Sequence, residues 1–336
     1  MTRVLAARLD NDGDVLITGP AIRALAAGAR ELTLLCGPRG RQAAELLPGP
    51  DRIAEWCAPW IDPDPLPVTA ASMAEVITLA HGIDAAVIFT SYHQSPLPLA
   101  LLLRMAGVPF VAAISEDYPG SLLDVRHRVP AGIPEPERAL SLAAAAGFPP
   151  DPRDDGRLRI REPLLDVSAL TGSGPYVVVH PGTSVTARAW PPDRNAEAVQ
   201  ALAAAGHRVA VTGAPAEKAL TSYVAGGDGT DLGGRTSLAE LAAVLAGADA
   251  VVVGNTGPAH LAAAVGTPVV SLFAPTVPAS AWGPYGVPSV ILGDQSAPCA
   301  ASRATTCPVP GHPCLTSVTA ADVVAAVGSL TTRSTA

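Results

Sequence analysis

Lysine is all but missing from this 336-residue chain: Lys218 stands alone beside 21 arginines, against 30 acidic residues, for a net charge of −8. That balance excludes a general nucleic-acid or anionic-membrane surface and leaves room only for a local basic pocket. Charged residues are scarce as well, at 15%, and form no long run of one sign; with apolar residues at 49%, a disordered chain is excluded. The five cysteines, at 36, 57, 299, 307 and 314, are too few and too scattered for a disulfide scaffold and are expected as free thiols. No basic stretch leads into an apolar segment near Met1, and the longest uncharged run, 250–293, is interrupted by Pro258, Pro268 and Pro275. Neither a secretory signal nor a transmembrane segment is therefore expected, and a soluble cytoplasmic protein is.

The length is about twice that of one ordinary domain, and the pattern fits two. Apolar β-branched runs alternate with Ala/Leu-rich segments of helical period, which is the pattern of βα units around a parallel sheet. In the first half the strands are expected over 4–8, 32–36, 52–56, 85–90 and 108–113, with helices over 18–29, 39–47, 70–81 and 96–105. A proline-rich, charged stretch follows Phe148 and suits a linker. The expected organisation is a Rossmann-like domain over 1–150, a linker over 151–175 and a second Rossmann-like domain over 176–336. The second domain's strands are expected over 176–180, 208–212, 250–254 and 269–273, and its helices over 194–205, 216–225, 237–246 and 258–265. A last helix over 320–330 is expected to close the chain, with the option of packing back on the first domain. Two such domains facing across a cleft form the simplest α/β arrangement.

In open α/β sheets ligands sit beyond the carboxyl ends of the strands, so the loops that follow strands are the places to look for chemistry. No GxGxxG follows any of these strands, which disfavours a dinucleotide oxidoreductase. After the first strand comes Asp10-Asn11-Asp12-Gly13-Asp14, where Gly13 permits a tight turn and Asp14 falls near a helix start. A carboxylate there is favoured as the anion and can accept a proton; a plain N-cap is the other reading of Asp14. The second domain's first strand ends in His180-Pro181-Gly182-Thr183-Ser184, with Arg188 a few residues on. Small hydroxyls and free amides suit phosphate, and Arg188 suits a diphosphate, although a surface loop with a solvated arginine has the same look. At Asn255-Thr256-Gly257-Pro258-Ala259-His260 a strand meets a helix with proline in its first turn. The amides of Thr256, Gly257 and Ala259 would face an anion there, while a lone His260 on an Ala-rich helix reads first as a packed residue. The segment from Phe273 to Tyr285 is either a rigid surface loop or the wall of a base or sugar pocket. Cys299, Cys307 and Cys314 with His312 make a valid zinc set by type, but their spacing matches no common zinc module, so a packed loop of thiols is expected and no metal.

Taken together, these segments resemble glycosyltransferase family 9, the ADP-heptose:lipopolysaccharide heptosyltransferases. The resemblance rests on Gly13-Asp14-Val15-Leu16, on His180-Pro181-Gly182 with Arg188-x-Trp190-Pro191, on the run from Asn255 to Ala264 with Phe273-x-Pro275-Thr276, and on the tail up to Cys314-Leu315. It implies a GT-B fold, with an acceptor-binding first domain and a second domain that binds a nucleotide-sugar. It further implies inverting, metal-independent transfer with no cofactor, the donor being a nucleoside diphosphate sugar, ADP-linked, and the acceptor a hydroxyl. Carried over by residue, Asp14 is the general base, Asn11 and Gly13 lie on the acceptor side, and Thr183, Ser184, Arg188, Asn255, Thr256, Gly257, Pro258 and His260 bind the donor. Two departures stand out. Arg188 occupies a position where the family commonly has lysine, and Asn255 one where it usually has aspartate. An amide still accepts a hydrogen bond there but carries no charge. Residues 1–150 hold 11 arginines and no lysine against 16 acids, net −5, which favours a small or neutral acceptor over an anionic lipid core. A nucleotide-sugar epimerase and a catalytically silent nucleotide-sugar-binding protein are the competing expectations.

Overall fold

The computed structural model describes residues 2–91 and 93–331; the last five residues of the expected second domain lie outside the described ones. The chain divides into two compact units, Met1–Arg161 and Glu162–Ala336.

The first unit begins with β1 (Arg3–Arg8), the short α1 (Asp12–Ile17), α2 (Gly19–Gly28), β2 (Glu31–Cys36), α3 (Arg41–Leu46) and β3 (Arg52–Glu55). It continues through α4 (Ala70–Leu79), β4 (Ala85–Phe89), α5 (Leu97–Met105), β5 (Phe110–Ile114), β6 (Val125–His127) and α6 (Glu135–Ala145). All pairings are parallel, in the order β3-β2-β1-β4-β5-β6. Parallel neighbours need crossover helices, which cover both faces of the sheet, so β1, β4 and β5 are continuous apolar runs and not alternating ones. Leu5, Ala7, Ala86, Ile88, Val111 and Ala113 are buried in one cluster with Leu99 and Leu103 of α5. Residues 151–161, expected as linker, are bound to this unit. Arg23 holds Asp154 through Nε at 2.6 Å and Nη2 at 2.7 Å, and Arg161 donates from Nε to the Leu47 carbonyl at 2.8 Å.

The second unit runs α7 (Ser168–Thr171), β7 (Val177–His180), α8 (Pro192–Ala204), β8 (Val209–Val211), α9 (Lys218–Ala225), β9 (Gly229–Asp231), α10 (Leu238–Ala246) and β10 (Ala250–Gly254). It ends with α11 (Gly257–Ala264), β11 (Val269–Leu272), α12 (Ala279–Trp282), β12 (Ser289–Leu292), α13 (Pro313–Thr316) and α14 (Ala320–Thr331). Its sheet, β12-β11-β10-β7-β8-β9, is again wholly parallel and repeats the first unit's topology. Val323, Ala326, Val327 and Leu330 of α14 are buried with Trp190, Ala198 and Leu272, so the last helix belongs to the core of its own unit.

Helix starts follow local chemistry. Proline lies in the first two positions of α2, α5, α6, α8 and α11, where a missing N–H costs nothing, and Ser237 with Glu240 forms a capping box on α10. Both sheets have six strands, more than expected. The additional β6, β9 and β12 are three or four residues long and lie at sheet edges, half-exposed, too short and too mixed to show a period. Among the described residues no helix is long and apolar enough to cross a membrane.

Candidate active site

In each sheet the strand order reverses beside the first strand, between β1 and β4 in one unit and between β7 and β10 in the other. The loops beyond the carboxyl ends of those two strands are where an open α/β sheet binds its ligand. The candidate residues fall on these loops in both units.

In the first unit, Asn11 is the exposed N-cap of α1 and Gly13 is buried in helical backbone, not in a tight turn; Asp14 is the third helical residue. Asp12 faces elsewhere, accepting from the Ala43 amide at 3.0 Å at the start of α3. Asp14 is not a cap either. The Arg8 guanidinium donates from Nη2 to Asp14 Oδ1 at 2.8 Å and to Ser91 Oγ at 3.0 Å. Arg8 Nε lies 3.0 Å from Asp10 Oδ2, an ion pair whose N–H is not aligned on the oxygen. Asp10 also accepts from Gln94 Nε2, and Gln94 Oε1 accepts from the Ser91 amide at 3.1 Å. Sequence reading missed this frame of Arg8, Asp10, Ser91 and Gln94.

Behind Arg8 stands α6. Arg138 donates from Nη1 to the Thr90 carbonyl at 2.8 Å and to Glu135 Oε2 at 3.4 Å. Arg8, Thr18, Thr90, Glu135 and Arg138 line a cavity of about 10 Å³, room for one water. Burial works against the charge on Arg8, but Asp10, Asp14 and Glu135 outweigh it and hold the guanidinium more firmly protonated than usual. Burial pushes the carboxyls of Asp10 and Glu135 upward against the pull of the arginines, and it lowers Arg138. The two cations and the two buried carboxylates, Asp10 and Glu135, would each cost several kcal/mol alone, and each is tolerable here only because it has partners.

In the second unit His180 ends β7, buried, with Nδ1 3.0 Å from Thr212 Oγ1. Desolvation pushes its pKa down to about 4 against the opposing charge of Glu217, so the ring is neutral at pH 7. The Glu217 carboxylate packs against Gly182: a Cβ there would lie 2.1 Å from Glu217 Oε1 and would displace it. Thr183 turns inward on its own loop, its Oγ1 accepting from the Val185 amide at 3.2 Å, and Ser184 is exposed. Arg188, half-buried, ends a 3-10 turn, Thr186–Arg188. A Cβ on Gly254, the last residue of β10, would come 3.4 Å from the Arg188 carbonyl, so the loops after β7 and β10 lie side by side.

The cysteine-bearing tail braces this loop. Ala187 N and Thr186 Oγ1 both donate to the Thr305 carbonyl at 3.0 Å, and Trp190 Nε1 donates to the Leu315 carbonyl at 3.0 Å. His312 Nε2 lies 3.1 Å from the Ala187 carbonyl, which can only accept, so that nitrogen carries the proton. Cys299 and Cys314 are core residues, and burial raises the Cys314 thiol to about 11 with Cys299 and Cys307 close by. Among the described residues no group of three or more His, Cys, Asp or Glu side chains is placed to hold a metal ion.

Thr256 is the extended N-cap of α11, and its Oγ1 donates to the Gly254 carbonyl at 3.4 Å. Ala259 N donates to the Thr256 carbonyl at 3.0 Å and Pro258 has no N–H, so of the three amides expected to face an anion only those of Thr256 and Gly257 remain. His260 is buried in α11. Asn255 is 4% exposed and, among the described residues, its buried Nδ2 has no hydrogen-bond partner, a condition that costs about 1–3 kcal/mol unless a water or a ligand oxygen completes it. Thr276, beyond the neighbouring β11, has a buried Oγ1 in the same state. Phe273 to Val277 are buried, and residues 301 and 303 donate to the Pro275 and Thr276 carbonyls at 2.8 Å, so the first part of that segment is an interior wall, while residues 278–285 are half-buried or exposed.

The profile of glycosyltransferase family 9 (heptosyltransferase) matches residues 93–312, well over half of the chain. No curated protein matches by sequence. Among solved structures, a family 9 glycosyltransferase from Veillonella parvula superposes with a TM-score of 0.79 at 17% identity, covering 99% of this chain and 97% of that one. The E. coli ADP-heptose lipopolysaccharide heptosyltransferase II gives 0.74 at 18% identity over 99% and 100%. E. coli heptosyltransferase WaaC with ADP gives 0.69 at 21% identity over 97% of each chain. These likenesses show the GT-B fold, and the profile shows the family. The chain belongs to glycosyltransferase family 9, the heptosyltransferase family, and is a glycosyltransferase.

Proposed function

We propose that this enzyme transfers a sugar, heptose from an ADP-linked donor, to an acceptor hydroxyl with inversion and without a metal, and that it does so in the cytoplasm. Asp14 is the general base. The observation that carries the reading is Asp14 itself: it sits beyond β1 at the reversal point of the sheet, with one oxygen on a buried guanidinium. A hydroxyl bound at the other oxygen would lose its proton to Asp14 as its oxygen attacks the anomeric carbon.

The leaving nucleoside diphosphate needs its growing negative charge met by donors already in place. Arg188 and the amides of Thr256 and Gly257, at the positive end of α11, are the residues suited to that task. The Asn255 amide is suited to a neutral oxygen of the donor sugar. For the acceptor, the acidic balance of residues 1–150 favours a small or neutral alcohol.

A thermal-shift panel of ADP, GDP, UDP and dTDP tests the donor assignment, because a ligand raises the melting temperature according to its affinity for the folded state. ADP is expected to give the largest shift. A larger shift with another nucleotide would overturn the ADP-heptose assignment while leaving glycosyl transfer in place. Transfer to a Kdo-lipid acceptor at unimpaired affinity would overturn the small-acceptor reading.

A further inference from the structure

Arg8 is an arginine at the last position of a strand whose four preceding residues are buried and apolar, and it is itself 2% exposed. Two carboxylates share it, and they differ. Asp10 is 7% exposed at its side chain and is tied down by Gln94, which also fixes the backbone of Ser91. Asp14 is 18% exposed, and among the described residues no hydrogen bond reaches its Oδ2. The cation is therefore locked from one side by Asp10 and Ser91, and it presents one N–H to the carboxylate on the open side. Arg138, held by Glu135 and the Thr90 carbonyl, closes the rear of the guanidinium across the small cavity.

We propose that Arg8, clamped by Asp10 and Ser91, is the positioning residue of this transferase: it fixes the rotamer of Asp14 by holding Oδ1, so that Oδ2 is the oxygen that meets the acceptor. This rests on the reading of Asp14 as the base. Asp10 anchors the guanidinium and does not touch the acceptor. The planar fork matters as well as the charge, because one guanidinium edge must serve Ser91 and Asp14 while Nε faces Asp10; an ammonium at the end of a lysine cannot reproduce that spread.

The test measures ADP release from ADP-heptose with water as the acceptor for the wild-type protein and for Asp14→Asn, Arg8→Met, Arg8→Lys and Ser91→Ala. Arg8→Met is expected to lower kcat about a hundredfold with donor KM within twofold of the wild-type value. Arg8→Lys is expected to recover part of that loss but to remain about tenfold slow. Ser91→Ala, the mildest change, is expected to lower kcat several-fold at unchanged KM, and it carries the test if the Arg8 variants do not fold. A purely structural Arg8 would lower the melting temperature and leave kcat per folded molecule where it was; that result in any folded variant overturns the proposal. If Asp14→Asn is as fast as the wild-type protein, the reading of Asp14 falls and the proposal with it. If Asp14→Asn is slow and only the Arg8 and Ser91 variants match the wild type, the positioning role alone falls.

Discussion

The two units share one sheet order, yet they fill the reversal point differently. In the first it is packed with side-chain charge: Arg8 at the end of β1, Asp10 and Asp14 after it, with Glu135 and Arg138 behind. In the second it is built from backbone amides, the neutral His180, the unsatisfied Asn255 amide and a single half-buried arginine, braced by the 297–316 tail. A site that must move a proton has to hold an ionised group, and a buried ion is stable only inside a network of partners. A site that receives a ligand carrying its own charge needs donors in fixed positions, and these are supplied by main chain at a helix start. The same topology thus carries two kinds of polar arrangement, and on the proposed reading the difference is whether protein or ligand supplies the anion.

The sharpest way to break this comparison is Asp14→Asn, which should lower turnover by about three orders of magnitude while ADP affinity, read by calorimetry, stays within twofold. Equal losses in both quantities would contradict the division of labour between the units. Next in size, Trp190→Ala should cost about 3–5 kcal/mol of stability in denaturant unfolding, since it empties a buried aromatic site and leaves the Leu315 carbonyl without its donor. ADP affinity of the folded fraction should fall too, because the Arg188 loop loses its brace. Arg188→Ala should weaken ADP about tenfold, equivalent to about 1.4 kcal/mol, and reduce the ADP-induced thermal shift with little change in the unliganded melting temperature. The smallest effect concerns acid. His180 is neutral down to about pH 4 when folded but takes up a proton near pH 6.5 when unfolded. Between those values the unfolded state binds more protons, so stability falls as pH drops through this window. His180→Gln should flatten that part of the stability curve for the second unit.

Much of the fold was legible because it is local. Buried parallel strands are runs such as Ala-Val-Val-Val-Gly in β10, and helices announce themselves by proline at the start and by capping boxes. The helix α6 was passed over because it opens on Glu-Pro-Glu-Arg, although the later spacing of Ala139, Leu142, Ala143 and Ala146 carries a helical period that could have revealed it. Sequence offered Asp14, Arg188 and Asn255 as candidates because their neighbours in sequence mark strand-to-helix turns. It could not pick out Ser91 and Gln94, which reach Arg8 and Asp10 across more than eighty positions, or Arg138, which reaches the Thr90 carbonyl across 48. Nor could it show that the Ala259 amide is already used within its own turn.

What the sequence determined by itself was the alternation of buried strands and covering helices, and the loops where ligands meet them, because hydrophobic period and backbone preference act over a few residues. Tertiary structure alone decided which of the aspartates after β1 stands open. That choice depends on how much water each carboxylate loses and on which distant cation replaces it, quantities that exist only once β1, β4 and α6 are packed together.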